Sequence, residues 1–205
     1  MKKTTLPFVL LVFIATSSLF AQNNEKPTKN GQIGISFSSF GSNDIICFQQ
    51  LEGSASYYGD KFFTLGINYL YPLNNTFDIE TAIEYSKHKI IIEPNVPPDM
   101  DDSPYGAEFS LINIPVTLRV NFLRYFFING GLLLDIDPTV SSPVDNQTGI
   151  GGIIVFGFNY DFKCGVSTFI NPYIKAHSLI SFSNDENQQH LLESGFRFGI
   201  MYRLK

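Results

Sequence analysis

The chain has 205 residues, room for one domain and too few for two with separate cores. Only 16% of them are charged, against roughly 25% in ordinary soluble domains, while 20 Phe and 10 Tyr rule out a disordered or collagen-like chain. A formal charge of −5 supplies no basic face for phosphates and argues against a nucleic-acid partner.

The first segment reads as an export signal over residues 1–21. Lys2 and Lys3 precede an apolar stretch from Leu6 to Ile14, and Ala15 to Phe20 leads to a cleavage expected after Ala21. No Cys follows to carry a lipid. Residues 22–30 are polar and read as a flexible lead, so the domain is expected over 31–205. No later apolar run is long enough for a spanning helix, which excludes a helical membrane protein.

From Gly31 onward the hydrophobic pattern has a period of two, the spacing at which neighbouring side chains point to opposite faces of a sheet. Ile33, Ile35 and Phe37 alternate with small residues. Phe63, Leu65, Ile67, Tyr69 and Tyr71 alternate with Thr64, Gly66 and Asn68. Next, Phe77, Ile79, Ile83 and Tyr85 face away from Asp78, Glu80, Glu84, Ser86 and His88. Ile112 to Phe122 sets its even-numbered apolar residues against Asn113, Thr117, Arg119 and Asn121, and Phe126 to Ile136 does so against Asn129, Gly131 and Asp135. Ile150 to Phe162 alternates with Gly151, Gly157, Asn159 and Asp161. Thr168 to Phe182 is less regular, with Asn171, Tyr173, Lys175 and His177 sharing one parity. The last segment places Phe196, Phe198, Ile200, Tyr202 and Leu204 against Gly195, Arg197, Gly199 and Arg203.

These are eight expected strands of about 10 to 15 residues, a length that suits tilted membrane-crossing strands. The links alternate in length. Pro72 to Asn75, Leu123 to Arg124 and Lys163 to Ser167 are tight, while Gly41 to Lys61, Glu93 to Gly106, Asp137 to Thr148 and Ser183 to His190 are long. An even number of strands with short turns at one end and long loops at the other is the layout of an eight-stranded antiparallel up-and-down transmembrane β-barrel in the outer membrane of a Gram-negative bacterium. The apolar parity is almost wholly Ile, Leu, Val, Phe and Tyr and suits lipid, whereas the polar parity is rich in Gly, Asn, Ser and Thr and suits a filled lumen. Tyr69, Tyr71, Phe122, Tyr125, Phe126, Tyr160, Phe162 and Tyr202 fall near the short-turn end, where an interfacial aromatic girdle is expected.

The stretch Leu19-Phe20-Ala21-Gln22, the strand Ile112-Asn113-Ile114-Pro115-Val116-Thr117-Leu118-Arg119 and the closing strand Gly195 to Leu204 resemble the PorT-like outer-membrane β-barrel family. The resemblance implies a barrel fold, with outer-membrane lipid and the barrel-assembly machinery as partners. It also implies an envelope protein partner, since the family includes a protein that supports a secretion machinery. The ending Tyr202-Arg203-Leu204-Lys205 departs from the aromatic residue on which barrel chains commonly close.

By parity Asp78, Glu80, Glu84, Arg119, Lys175, His177, Arg197 and Arg203 all face the lumen. Unpaired charge in a narrow interior is costly, so these acids and bases are expected to pair and close the pore. Glu80 and Glu84 lie about 13 Å apart at strand rise, too far for a glycosidase pair, and no nucleophile-elbow, zinc or phosphate-loop motif is present. Glu93, Asp99, Asp101 and Asp102 sit among prolines and read as a solvated loop, so no metal or cofactor is expected. Cys47 in the first long loop and Cys164 in a short turn belong to opposite ends and are expected to stay unbonded.

The function expected from these readings is a non-enzymatic outer-membrane barrel, structural or partner-binding. Two other classes stay open: a barrel enzyme or small gated channel, and a secreted soluble barrel carrying an apolar ligand. The facing of the apolar parity separates the last from the others.

Overall fold

A computed structural model describes residues 30–47, 55–97, 102–139, 142–183 and 188–204. The expected export signal, most of the polar lead and the acids Asp99 and Asp101 lie outside the described residues. Eight strands follow in order: β1 (Gln32–Cys47), β2 (Ser56–Pro72), β3 (Phe77–Glu93), β4 (Tyr105–Phe122), β5 (Phe126–Ile136), β6 (Gly149–Asp161), β7 (Val166–Ser181) and β8 (Gln189–Arg203). Each pairs antiparallel with its neighbours, and β1 closes on β8 with Ile33 opposite Tyr202 and Phe37 opposite Phe198. Closure leaves no unpaired sheet edge.

The strands run 11 to 18 residues, longer than their hydrophobic alternation. Residues 41–47 and 56–61, read from the sequence as loop, are the outer halves of β1 and β2. Apolar alternation fades there because the outward face beyond the belt is largely polar, while Ile45 and Tyr57 pack inward against apolar side chains. Ser42 and Asp44 are exposed on β1, and bulges at Ser38/Phe40 and Gly59/Lys61 shift the register.

The irregularity of β7 also has a structural cause. Opposite β6 its register moves from Ile180 to Ala176 while β6 advances only from Ile150 to Gly152. Ser178 takes up the excess in a left-handed conformation with φ of 48°. His177 and Ser178 are therefore both buried, though they are sequence neighbours.

The polarity is the reverse of a soluble protein. Ile83, Leu132 and Ile154 expose 64%, 64% and 65% of their surface, while Glu84, Lys175, His177 and Glu193 expose no more than 1%. The apolar side chains form a belt around the outside, running on β2 from Phe63 to Tyr71 and on β3 from Phe77 to Tyr85. This is the arrangement of a barrel that crosses hydrocarbon with its strands.

Candidate functional site

The lumen is where the chain gathers its chemistry. Glu80 and Glu84 from β3 are clasped by one guanidinium from β8: Arg197 Nη2 lies 2.9 Å from Glu80 Oε1 and Nη1 lies 3.1 Å from Glu84 Oε1. The separation of about 13 Å expected from strand rise describes the backbone and not these carboxylates, because two long side chains lean toward the cation between them. Lys175 Nζ donates to Glu84 Oε2 at 2.7 Å and sits 3.3 Å from Glu193 Oε1. Tyr173 donates its hydroxyl to the same Glu193 oxygen at 2.7 Å.

Two further clusters extend this centre. Toward the short turns, Arg119 lies 3.7 Å from Glu80 and 3.8 Å from Asp78, with its guanidinium carbon 3.6 Å from the centre of the Phe127 ring. Asn129 donates to Glu80 and Asn121 to Asp78. Toward the long loops, His177 Nδ1 is 3.0 Å from Asp135 Oδ1, which also accepts from Asn113. The backbone N–H of Ser178 donates to the other Asp135 oxygen, so the β7 bulge serves this cluster directly.

Five carboxylates, Asp78, Glu80, Glu84, Asp135 and Glu193, are thus buried with three permanent cations, Arg119, Lys175 and Arg197. His88 and His177 stand beside the remaining acids, at 3.4 Å from Glu193 and 3.0 Å from Asp135. Seven of the eight residues assigned to this network by parity come together. Arg203 does not: it shares the parity but lies half-buried at the short-turn rim, in none of the ion pairs. Sequence reading omitted Glu193, Asp135, His88 and Tyr173. Asp135 and His88 carried the correct parity, and Glu193 is two steps before Gly195 on the inward side of β8.

The interior departs from the uniformly polar filling expected. One apolar cluster includes Leu70, Phe127, Val155, Phe169, Tyr173 and Met201. A second, on the long-loop side, includes Ile90, Phe109, Leu111, Val144 and Leu191. Val144 belongs to the link between β5 and β6, whose Gln147 donates to the Gln189 carbonyl and accepts from the Leu191 N–H. The described part of that link thus packs into the barrel interior on the long-loop side, with Val144 and Gln147 buried. Glycine makes room for the rings, since a Cβ on Gly157 would run into Phe127 and one on Gly199 into Phe169.

One grouping looks like catalytic machinery and is not arranged as such. His88 Nε2 faces both Ser86 Oγ at 3.0 Å and Glu193 Oε2 at 3.4 Å. A nucleophile relay needs the hydroxyl and the orienting acid on opposite ring nitrogens. The Nδ1 atom of His88 has no hydrogen-bond partner, and all three residues are fully buried. Among the described residues no cluster of His, Cys, Asp and Glu has the geometry to hold a metal ion.

The eight rings of the expected girdle lie at the short-turn end. Phe122, Tyr125, Phe126 and Tyr160 join Phe156 and Phe158 in a continuous wall across β4, β5 and β6, with centroids 5.6 to 6.2 Å apart. Tyr160 meets Phe162 edge-on at 4.9 Å. Tyr69, Tyr71 and Tyr202 stand exposed on β2 and β8. Cys47 ends β1 on the long-loop side, Cys164 lies in the β6–β7 turn, and both are free and exposed.

No family model and no curated relative matches the chain. Among solved structures it is similar to the outer membrane protein OprG from Pseudomonas aeruginosa, at 12% identity over 83% of this chain and 95% of that one, with a TM-score of 0.47. It is also similar to the outer membrane protein AlkL in DMPC lipid bilayers, at 11% identity over 89% and 94%, TM-score 0.44. A third is the translocator domain of the autotransporter NalP from Neisseria meningitidis, at 11% identity over 98% and 97%, TM-score 0.35. At this level of likeness nothing about function passes from them to this chain.

Proposed function

We propose that this chain is a non-enzymatic outer-membrane β-barrel with a closed lumen, acting as a structural or partner-binding component of the envelope. The observation that carries the reading is the inverted polarity, with aliphatic and aromatic side chains outside and paired ions inside. A soluble carrier of an apolar ligand would hold that apolar parity in its interior. The interior here is occupied by its own side chains, among them fully buried Phe109, Phe127, Lys175 and His177.

With a filled lumen, interaction falls to the ends. The long loops and the short turns are the surfaces on which an envelope protein could dock, in keeping with the PorT-like resemblance of the Ile112–Arg119 strand. Fractionation of expressing cells should recover the folded protein with outer membranes, and planar bilayers containing it should show no large, stable conductance. Folded protein in a detergent-free soluble fraction would overturn the membrane assignment, and sustained large conductance would overturn the closed lumen.

A further inference from the structure

Basic charge is scarce on this protein and its placement is uneven. Among the described residues, Arg119, Lys175 and Arg197 are in the lumen and Arg124, Lys163 and Arg203 are at the short-turn end. The other three, Lys61, Lys87 and Lys89, all stand on the outer wall of β2 and β3 on the long-loop side. They follow directly on the belt, whose last rings there, Phe63 and Tyr85, have centroids 6.2 Å apart. Phe63 is directly opposite Lys87 in the sheet register.

Two of the three lysines have an acid beside them, which leaves one positive charge of the patch without a counter-charge among the described residues. Lys87 pairs with Glu108 at 2.6 Å and Lys89 with Asp60 at 3.3 Å. Among the described residues Lys61 is in no ion pair, and it is directly opposite Lys89, a cross-strand pairing of like charges that Asp60 offsets on the Lys89 side only. Each ammonium carries three donors and each acid takes only part of them. The same residues line an open depression of about 360 Å³ with Ser39, Phe63 and Glu108.

We infer that Lys61, Lys87 and Lys89 bind the phosphate group of a lipid in the leaflet on the long-loop side, with its acyl chains laid along the belt below. Phosphate accepts from lysine as a point charge, and a site at the edge of hydrocarbon selects a phosphate that carries chains over one free in water. The inference rests on the membrane reading proposed above.

The test offers the purified barrel in detergent micelles three probes in turn: phosphorylated lipid A, dephosphorylated lipid A and inorganic phosphate. Native mass spectrometry reads what is retained. The phosphorylated lipid should be held, its dephosphorylated form should not, and inorganic phosphate at equal concentration should not displace it. Lys61→Gln with Lys89→Gln should weaken retention roughly 30-fold, two lysines at the usual worth of one near an anionic surface. Lys61→Gln alone, which breaks no ion pair and so leaves the barrel folded, should weaken it about fivefold. Equal retention of the two lipids, unchanged retention in the variants, or displacement by inorganic phosphate would each overturn the site. Insertion into phosphatidylcholine vesicles is measured alongside. A barrel that inserts but ignores the phosphate loses only this site, whereas one that fails to insert loses the membrane reading itself.

Discussion

Glu84 and Lys175 meet at 2.7 Å across the lumen, from strands β3 and β7 that are not neighbours in the sheet, and neither exposes more than 1% of its side chain. A buried pair of this kind is weak grounds for net stability, yet removing one partner strands the other in a dry interior. Lys175 also faces Glu193, so its loss would leave two carboxylates short of a cation. Lys175→Met should destabilise the barrel by about 3 to 5 kcal/mol. Urea unfolding in lipid vesicles checks this, and an unchanged midpoint would contradict a network that depends on Lys175.

Height along one strand separates the belt from the surface beyond it. Val116 is 54% exposed in the middle of β4, and Tyr105 is equally exposed at its long-loop end. Val116→Arg should cost about 2 to 4 kcal/mol and Tyr105→Arg about 0 to 1 kcal/mol, because the cost of arginine falls from bilayer midplane to interface. Equal costs in the same vesicle assay would place the belt wrongly.

Packing inside the barrel gives a prediction that does not involve charge. A methyl group at Gly157 would run into the Phe127 ring. Gly157→Ala should therefore cost about 1 to 3 kcal/mol. Phe127→Leu in the same chain should return part of that cost, and the coupling can be read from a double-mutant cycle. Additive effects would show that the two positions do not touch.

The cysteines report on sidedness and on local charge. A membrane-impermeant maleimide applied to intact cells should label Cys47 at the long-loop end and reach Cys164 only after the outer membrane is opened. Partial desolvation at the end of β1, and secondarily the negative charge of Asp145, raise the Cys47 thiol above its ordinary range. A raised value means less thiolate at neutral pH, so Cys47 should react more slowly than free cysteine and gain rate at higher pH. Asp145→Asn should shift that rate profile to lower pH. A profile at or below that of free cysteine, unmoved by Asp145→Asn, would contradict the assignment.

The strands were legible wherever one face is greasy and the other is not. Phe63 to Tyr71 and Phe77 to Tyr85 show the period of two because lipid lies against one face and packed polar groups against the other. Beyond the belt, from Ser42 to Cys47 and Ser56 to Lys61, the outward face turns largely polar while Ile45 and Tyr57 face an apolar cluster inside, so the strands continue without the alternation that marks the belt. Phe127 and Phe169 were hidden differently. Phe127 falls on the inward parity of its strand, but no local pattern shows that a ring fits among the polar groups there, and only the space above Gly157 and Gly199 accommodates Phe127 and Phe169. The bridging of Glu80 and Glu84 by Arg197 depends on closing the chain into a ring, which no local pattern displays. The bulge at Ser178, which turns two neighbouring side chains inward, has no marker in the alternation beyond its loss of regularity.

The central claim is that hydrocarbon touches the apolar parity of this sheet, and the chain contains no Trp to interfere with a direct reading of it. Single-tryptophan variants at Ile83, Leu132 and Ile154, compared with one at Tyr105, can be reconstituted in vesicles whose acyl chains carry bromine near the bilayer centre. Fluorescence from the first three should be strongly quenched by the brominated chains and shielded from aqueous iodide, with the reverse at Tyr105. Tryptophan at Ile154 or Leu132 that iodide quenches and bromine does not would contradict the inverted barrel.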